Sequence, residues 1–103
     1  MKAYLITPAS QNVEVVDVSG IDDIVGLIGY STIEADPIDE IGTRLYFDEE
    51  CFIRGDAVSG RFQLDSLIPV AGLAVVAGSD KDAEDICDVK LDIDELRGRI
   101  KFL

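Results

Sequence analysis

Residues 73–77 constrain the fold more than any other stretch of this chain. Leu, Ala, Val, Val and Ala follow one another without a polar residue, between Gly72 and Gly78. The run is too short for a helix and has no polar face to offer solvent, so it reads as a central, buried strand. The remaining elements must then be arranged around it.

Residues 3–7 read as a strand ended by Pro8, and residues 12–18 as a second. The polar segment 8–11 suits a hairpin turn, which makes the pair antiparallel. Ile21, Ile24, Val25 and Ile28 then recur at helical spacing and place four apolar side chains on one face. Ser19 and Asp22 have the spacing of an N-terminal cap, and Gly29 stands where a helix C-terminal glycine belongs. Gly26 inside the helix costs about 1 kcal/mol relative to alanine; close contact with a sheet is one reason for a glycine there.

Residues 31–35 form the next expected strand, ended by Asp36 and Pro37. In residues 43–48, Thr43, Leu45 and Phe47 alternate with Arg44, Tyr46 and Asp48, so one face meets the core. A turn at 48–50 leads to a short return strand at 51–53, a loop about Gly55 and Gly60, and a weak strand at 61–64. Residues 79–89 read as a solvated acidic loop. Asp92 caps a last short helix, with Glu95 at capping-box spacing, and Ile93, Leu96 and Ile100 supply its buried stripe. Arg97, Arg99 and Lys101 fall near its C-terminal end, where the helix dipole favours cations. The expected architecture is a single α+β domain over residues 1–103, with a mainly antiparallel sheet of five to six strands and two helices packed against it.

Charge narrows the function classes. The chain carries 21 Asp and Glu against 9 Lys and Arg, a net charge of −12, while 48% of its residues are hydrophobic. That apolar content supplies a packed core and sets the chain apart from disordered acidic tails. The acidic balance repels phosphate backbones and disfavours direct nucleic-acid binding. The charge is uneven: residues 80–95 hold eight acids and two bases, and residues 96–103 hold three bases and no acid. There is no histidine, which removes the usual general base, the Ser-His and Cys-His pairs and most zinc and haem sites.

No phosphate-binding loop, cofactor motif or recognised nucleophile is present, so the expectation is a protein without enzymatic activity, catalytic residues or cofactor. No apolar run is long enough to span a bilayer, and the N-terminal one is too short for a signal-peptide core. Two cysteines, Cys51 and Cys87, do not make a disulfide scaffold, so a cytoplasmic protein with reduced thiols is expected. Asp48, Glu49 and Glu50 precede Cys51, so the local sequence offers it none of the cationic neighbours that activate a nucleophilic thiol.

Three constellations are candidate sites. Asp80, Asp82 and Glu84 open like a calcium loop, but Asp85 occupies the position that needs glycine and Leu91 the position that needs a bidentate glutamate. No metal is therefore expected. Asp17, Asp22, Asp23, Glu34, Asp36, Asp39 and Glu40 are expected to share one region near the first helix and to form an acidic face that imitates a nucleic-acid backbone; ordinary solubility charge is the competing reading. Arg44, Arg54 and Arg61 form the alternative, an anion or nucleotide pocket, if the fold brings them together.

Several segments also carry a family likeness. These are residues 2–8 (Lys-Ala-Tyr-Leu-Ile-Thr-Pro), Glu14-Val15-Val16, the helix end Leu27-Ile28-Gly29 before Ile33-Glu34, and Leu45-Tyr46-Phe47-Asp48-Glu49-Glu50. Ile68-Pro69-Val70-Ala71-Gly72 and Val75-Val76-Ala77-Gly78 complete the set. Over roughly its first three-quarters the chain resembles the phage- and plasmid-associated family called domain of unknown function 3846, with Cys51 standing where that family usually has glycine. The resemblance implies no reaction. It implies an accessory role in a mobile element, such as inhibition of a host defence nuclease of the CRISPR or restriction type.

The expected function is thus binding, by protein–protein contact, to a partner with a basic surface, with neither nucleic acid nor membrane as partner. A small-molecule or nucleotide-sequestering binder is the alternative. A homo-oligomeric domain is the third reading, raised by the apolar segment 67–70.

Overall fold

In the computed structural model, which describes residues 1–52, 60–80 and 85–103, strand β7 (Ala74–Ser79) has all six residues buried. Among the described residues β7 is the centre of a six-stranded sheet in the order β2-β1-β7-β4-β3, with β8 also paired to β7. The members are β1 (Lys2–Thr7), β2 (Asn12–Asp17), β3 (Ile33–Pro37), β4 (Thr43–Asp48) and β8 (Ile86–Cys87), and every pairing is antiparallel. A second sheet, β6-β5-β9, is built from β5 (Arg61–Leu64), β6 (Val70–Ala71) and β9 (Ile100–Phe102).

The apolarity of residues 74–77 in β7 has a direct cause. Val75 and Ala77 face helix α1 (Ile21–Ile28), in a core with Ala3, Val18, Ile24, Ile28 and Tyr46. Ala74 and Val76 face the other way, in a larger core with Tyr4, Ile6, Val13, Leu45, Phe62, Leu64 and Leu96. The small sheet and helix α2 (Ile93–Arg99) close that second core. The molecule is therefore layered, with α1 on one face of the large sheet and the small sheet with α2 on the other. The α+β class and the mainly antiparallel sheet with two helices are as the sequence indicates.

Several local expectations need correction. Residues 43–48 meet a core on both faces, because Tyr46 packs towards α1 while Leu45 packs towards the small sheet. Cys51 and Phe52 lie in a turn rather than a strand, and Ile53, Arg54 and Gly55 lie outside the described residues. Part of the supposed solvated loop at 79–89 is structural: Ser79 ends β7, Ile86 and Cys87 form β8, and buried Val89 donates its N–H to the Lys2 carbonyl at 2.9 Å. The chain beyond Arg99 is strand, so Lys101 lies on β9 and not on a helix.

Helix α1 begins one residue later than expected. Its N-cap is Gly20, without a side-chain cap bond, and the Ser19 N–H instead donates to Asp23 Oδ2 at 2.7 Å. Asp23, the third helical residue, thus reaches back past the N-cap to the residue before it, one position beyond the bond of a capping box. Ile21 stands half-exposed, so the buried stripe is Ile24 and Ile28, with Leu27 packed beside them. Gly26 has nothing within 4 Å of where a Cβ would stand, so close packing does not explain that glycine. Gly78, by contrast, has a packing reason: a Cβ there would stand 2.5 Å from the Asp88 carbonyl oxygen, where β8 leaves β7. Helix α2 is capped as expected, Asp92 accepting from the N–H groups of Asp94 and Glu95.

Among the described residues no helix is long and apolar enough to cross a membrane.

Candidate acidic interface

Strand register decides which charged residues share an end of the sheet. Lys2 pairs with Asp17 and Gly78 with Thr43, and the Ile38 N–H donates to the Thr43 carbonyl at 3.0 Å. These residues form one row across the large sheet, at the end where β2, β3 and β7 finish and β1 and β4 begin. Every connection leaving that row is acidic.

Asp17 closes β2, and Asp22 and Asp23 open α1, where the helix dipole favours them. Asp36 is the penultimate residue of β3, and Asp39 and Glu40 lie in the link to β4. Glu34 sits further back along β3, opposite Phe47, on the face away from α1. The expected set is therefore partly gathered: six of its seven residues sit at one end of the sheet, but in two groups on opposite edges. Those edges are about 19 Å apart, from four strand spacings.

The gap between the two groups is filled by acids that sequence reading assigned to a bare loop. Asp80 follows β7, Asp85 precedes β8 and Asp88 follows it. Asp88 accepts from the Lys2 N–H at 2.7 Å. The Met1 amine donates to Asp17 Oδ1 at 2.8 Å and to the Val18 carbonyl. Its pKa is raised, first by the Asp17 hydrogen bond and then by the charges of Asp17, Asp88 and Asp23, while Asp17 is lowered by the same bond. These acids belong to one field even though they come from three segments.

The second edge is more constrained. Asp39 Oδ1 accepts from the N–H groups of Ile41 at 2.9 Å and Thr43 at 3.0 Å. Burial pushes its carboxyl upward, but hydrogen bonds from Thr43 and Ile41 and the charge of Arg99 outweigh this and hold it below the ordinary value. Asp39 organises the β3–β4 link. Its other oxygen is buried without a hydrogen-bond partner.

Two shallow grooves open at this acidic end. One, about 540 Å³, is lined by Ile41, Ser79, Asp80, Cys87 and Lys90; the other, about 320 Å³, by Met1, Ser19, Gly20, Ile21, Asp85 and Ile86. Both are open to solvent, and each has one carboxylate in its lining, Asp80 in the first and Asp85 in the second. Among the described residues no three His, Cys, Asp or Glu side chains converge as a metal site, and Asp82 and Glu84 lie outside those residues.

The arginine set is not gathered. Arg44 lies on the face of β4 that carries Tyr46, towards α1. Burial raises the pKa of the Tyr46 hydroxyl and Arg44 opposes the rise. Arg61 lies on the small sheet across the molecule, stacked over the Phe52 ring at 5.4 Å. The large sheet stands between them, and Arg54 lies outside the described residues.

Arg97 and Arg99 have roles that charge reading did not reveal. Arg97 Nη2 donates to the Val13 carbonyl at 2.8 Å, on the β2 edge. Arg99 Nη2 donates to the Ile38 carbonyl at 2.7 Å, beyond β3, while its guanidinium forks onto Asp65. The two arginines thus tie the α2 layer to opposite corners of the large sheet. The Arg99 bond lowers the Asp65 carboxyl and the pair raises Arg99.

Cys51 and Cys87 are unpaired and lie in different sheets' surroundings, Cys51 Sγ accepting from the Ala71 N–H at 3.4 Å and Cys87 facing Gly78. In the 67–70 segment Ile68 is 81% exposed, but Val70 is buried, so a single side chain protrudes rather than a patch. Comparison of the chain with protein-family models, with curated proteins and with solved structures finds no match in any of the three.

Proposed function

We propose that this is a non-enzymatic binding protein that presents the acidic end of its large sheet to a basic surface on another protein. The observation that carries the reading is the convergence of Asp17, Asp22, Asp23, Asp80, Asp85 and Asp88 with Asp36, Asp39 and Glu40 along one end of one rigid sheet. Strand ends and a helix start carry these carboxylates on one end of the sheet, and opposed potentials speed encounter with a cationic groove. The partner class is a nucleic-acid-handling protein, whose phosphate-binding groove has the matching charge. The role is that of an accessory or anti-defence inhibitor carried by a phage or mobile element, acting in the cytoplasm, where Cys51 and Cys87 stay reduced.

The test is affinity capture from host lysate with the full chain, at low and high salt, followed by competition between this protein and DNA for the captured partner. The expected result is capture of a nuclease, displaced by DNA and weakening steeply with salt. Replacing Asp22 and Asp23 by lysine weakens it further. Salt-independent capture, or capture indifferent to that charge reversal, would refute the reading.

A further inference from the structure

The two edges of the large sheet differ in what they offer a partner. In β2, Val18 and Met1 exchange hydrogen bonds, at 2.9 Å from the Val18 N–H and 2.5 Å from the Met1 amine. Antiparallel pairs alternate between bonded and non-bonded. With Lys2 opposite Asp17 and Thr7 opposite Asn12, residues 12, 14 and 16 bond inward to β1, and Val13, Val15 and Asp17 turn their N–H and C=O groups outward. The Arg97 guanidinium on the Val13 carbonyl agrees with this parity and marks where the open stretch ends.

In β3 the same reasoning turns Ile33, Ala35 and Pro37 outward, because Glu49 donates to the Thr32 carbonyl and Ile38 to that of Thr43. Ile33 already donates to Ser31, and Pro37 has no N–H, which leaves Ala35 as the outward donor. That edge is blunted in the way natural sheets guard themselves.

The β2 edge lacks those guards. It has no proline and no lysine, its register with β1 runs unbroken over six pairs, and Val15 is 55% exposed. Exposed Glu14 and Asp17 flank Val15, and Asp22 and Asp23 open the helix that follows.

We propose that the β2 edge is a docking site at which an extended basic segment of the partner protein adds as a further strand along residues 13–17. This rests on the acidic-interface reading above and names how the partner engages it. Main-chain bonds to Val15 and Asp17 supply the strand pairing, and alternating side chains supply the match: an apolar residue beside Val15 and a lysine or arginine beside Glu14. A second copy of this chain is the poorer occupant. Antiparallel pairing centred on Val15 would set Asp17 of one copy against Val13 of the other, whose carbonyl already accepts from Arg97, and would join two chains of net charge −12.

The experiment titrates the full chain with a short peptide of alternating lysine and valine, following backbone amides by NMR and their hydrogen exchange. Expected are salt-sensitive binding and new protection of the Val15 and Asp17 amides. Peptide methylated on alternate backbone nitrogens should bind about tenfold or more weakly, as should the Val15→Pro variant, whose lost N–H takes no part in the β1 ladder. The methylated peptide keeps the test valid if that variant does not fold. Binding that is salt-sensitive and weakened by Asp22→Lys with Asp23→Lys, yet indifferent to methylation and to Val15→Pro, overturns strand addition and leaves the acidic interface standing. No binding at low salt overturns both. Protection of the same amides by dimerisation of the chain without peptide overturns the choice of occupant.

Discussion

The same substitution, glycine to alanine, should have opposite effects at two positions. Gly26 lies on the exposed side of α1 with no atom within 4 Å of a new Cβ. Its replacement by alanine therefore keeps every contact and removes the helix-interior penalty of glycine, a gain of about 0.5–1 kcal/mol. At this chain length each kcal/mol moves the melting temperature by about 4–5 °C, so Gly26→Ala should raise Tm by about 2–5 °C. Gly78 is buried in β7, and its new Cβ would meet main-chain oxygens, that of Asp88 at 2.5 Å and that of Cys87 at 3.0 Å. Backbone cannot swing aside as a side chain can, so β8 must move off β7, at a cost of about 2–3 kcal/mol or more. Tm should fall by about 10 °C or more, with loss of the β8 amide protection. The assay is thermal and urea unfolding by circular dichroism, with both variants beside the parent. A Gly26→Ala protein no more stable than the parent, or a Gly78→Ala protein as stable, would refute the reasoning.

Other expectations follow from single contacts. Tyr4→Phe removes the buried hydroxyl that donates to the Leu91 carbonyl at 2.6 Å; leaving that oxygen unpaired should cost about 1–2 kcal/mol in urea titration. Asp92→Ala removes the α2 cap and should cost about 1 kcal/mol by the same measurement. Arg99→Ala cuts the tie to Ile38 and Asp65 and should cost about 1–2 kcal/mol, more than replacement of exposed Lys101 on β9 by alanine. Asp39 and Asp65 have folded-state pKa values below their unfolded ones, so their stabilisation is present above about pH 4 and is lost as pH falls through the lowered folded values. Asp65→Asn and Asp39→Asn should each flatten the acid limb of a stability–pH profile and leave the neutral limb's slope unchanged.

The elements with the clearest local chemistry were legible from the sequence. Residues 73–77 announced a doubly covered strand because both faces of β7 are buried, and the Asp92–Glu95 spacing announced a cap because that bond is local. What escaped were consequences of pairing. Residues 85–89 look like a polar loop until β7 is there to bond Ile86 and Cys87, and no periodicity over two residues can reveal that. The acids divided between two edges, and Arg44 was parted from Arg61, because strand order is a long-range property set by where β7 inserts. Arg97 and Arg99 carried a dipole explanation that is adequate alone. Only the carbonyls of Val13 and Ile38 at their tips show that they bind layers together.

The position of β7 also governs how this chain must assemble. β1 with β2, and β3 with β4, are hairpins of neighbouring segments, yet β1 and β4 meet only through a strand that begins at Ala74. As the chain leaves the ribosome, both hairpins must wait with their inner edges bare until residue 79 has emerged. Closure is then a late, many-residue event with large loops to gather, which places folding in the slow, millisecond-to-second regime of non-local β topologies. During that wait the chain is held apart from its neighbours chiefly by its own repulsion, so its acidity guards the nascent chain before it serves the finished fold.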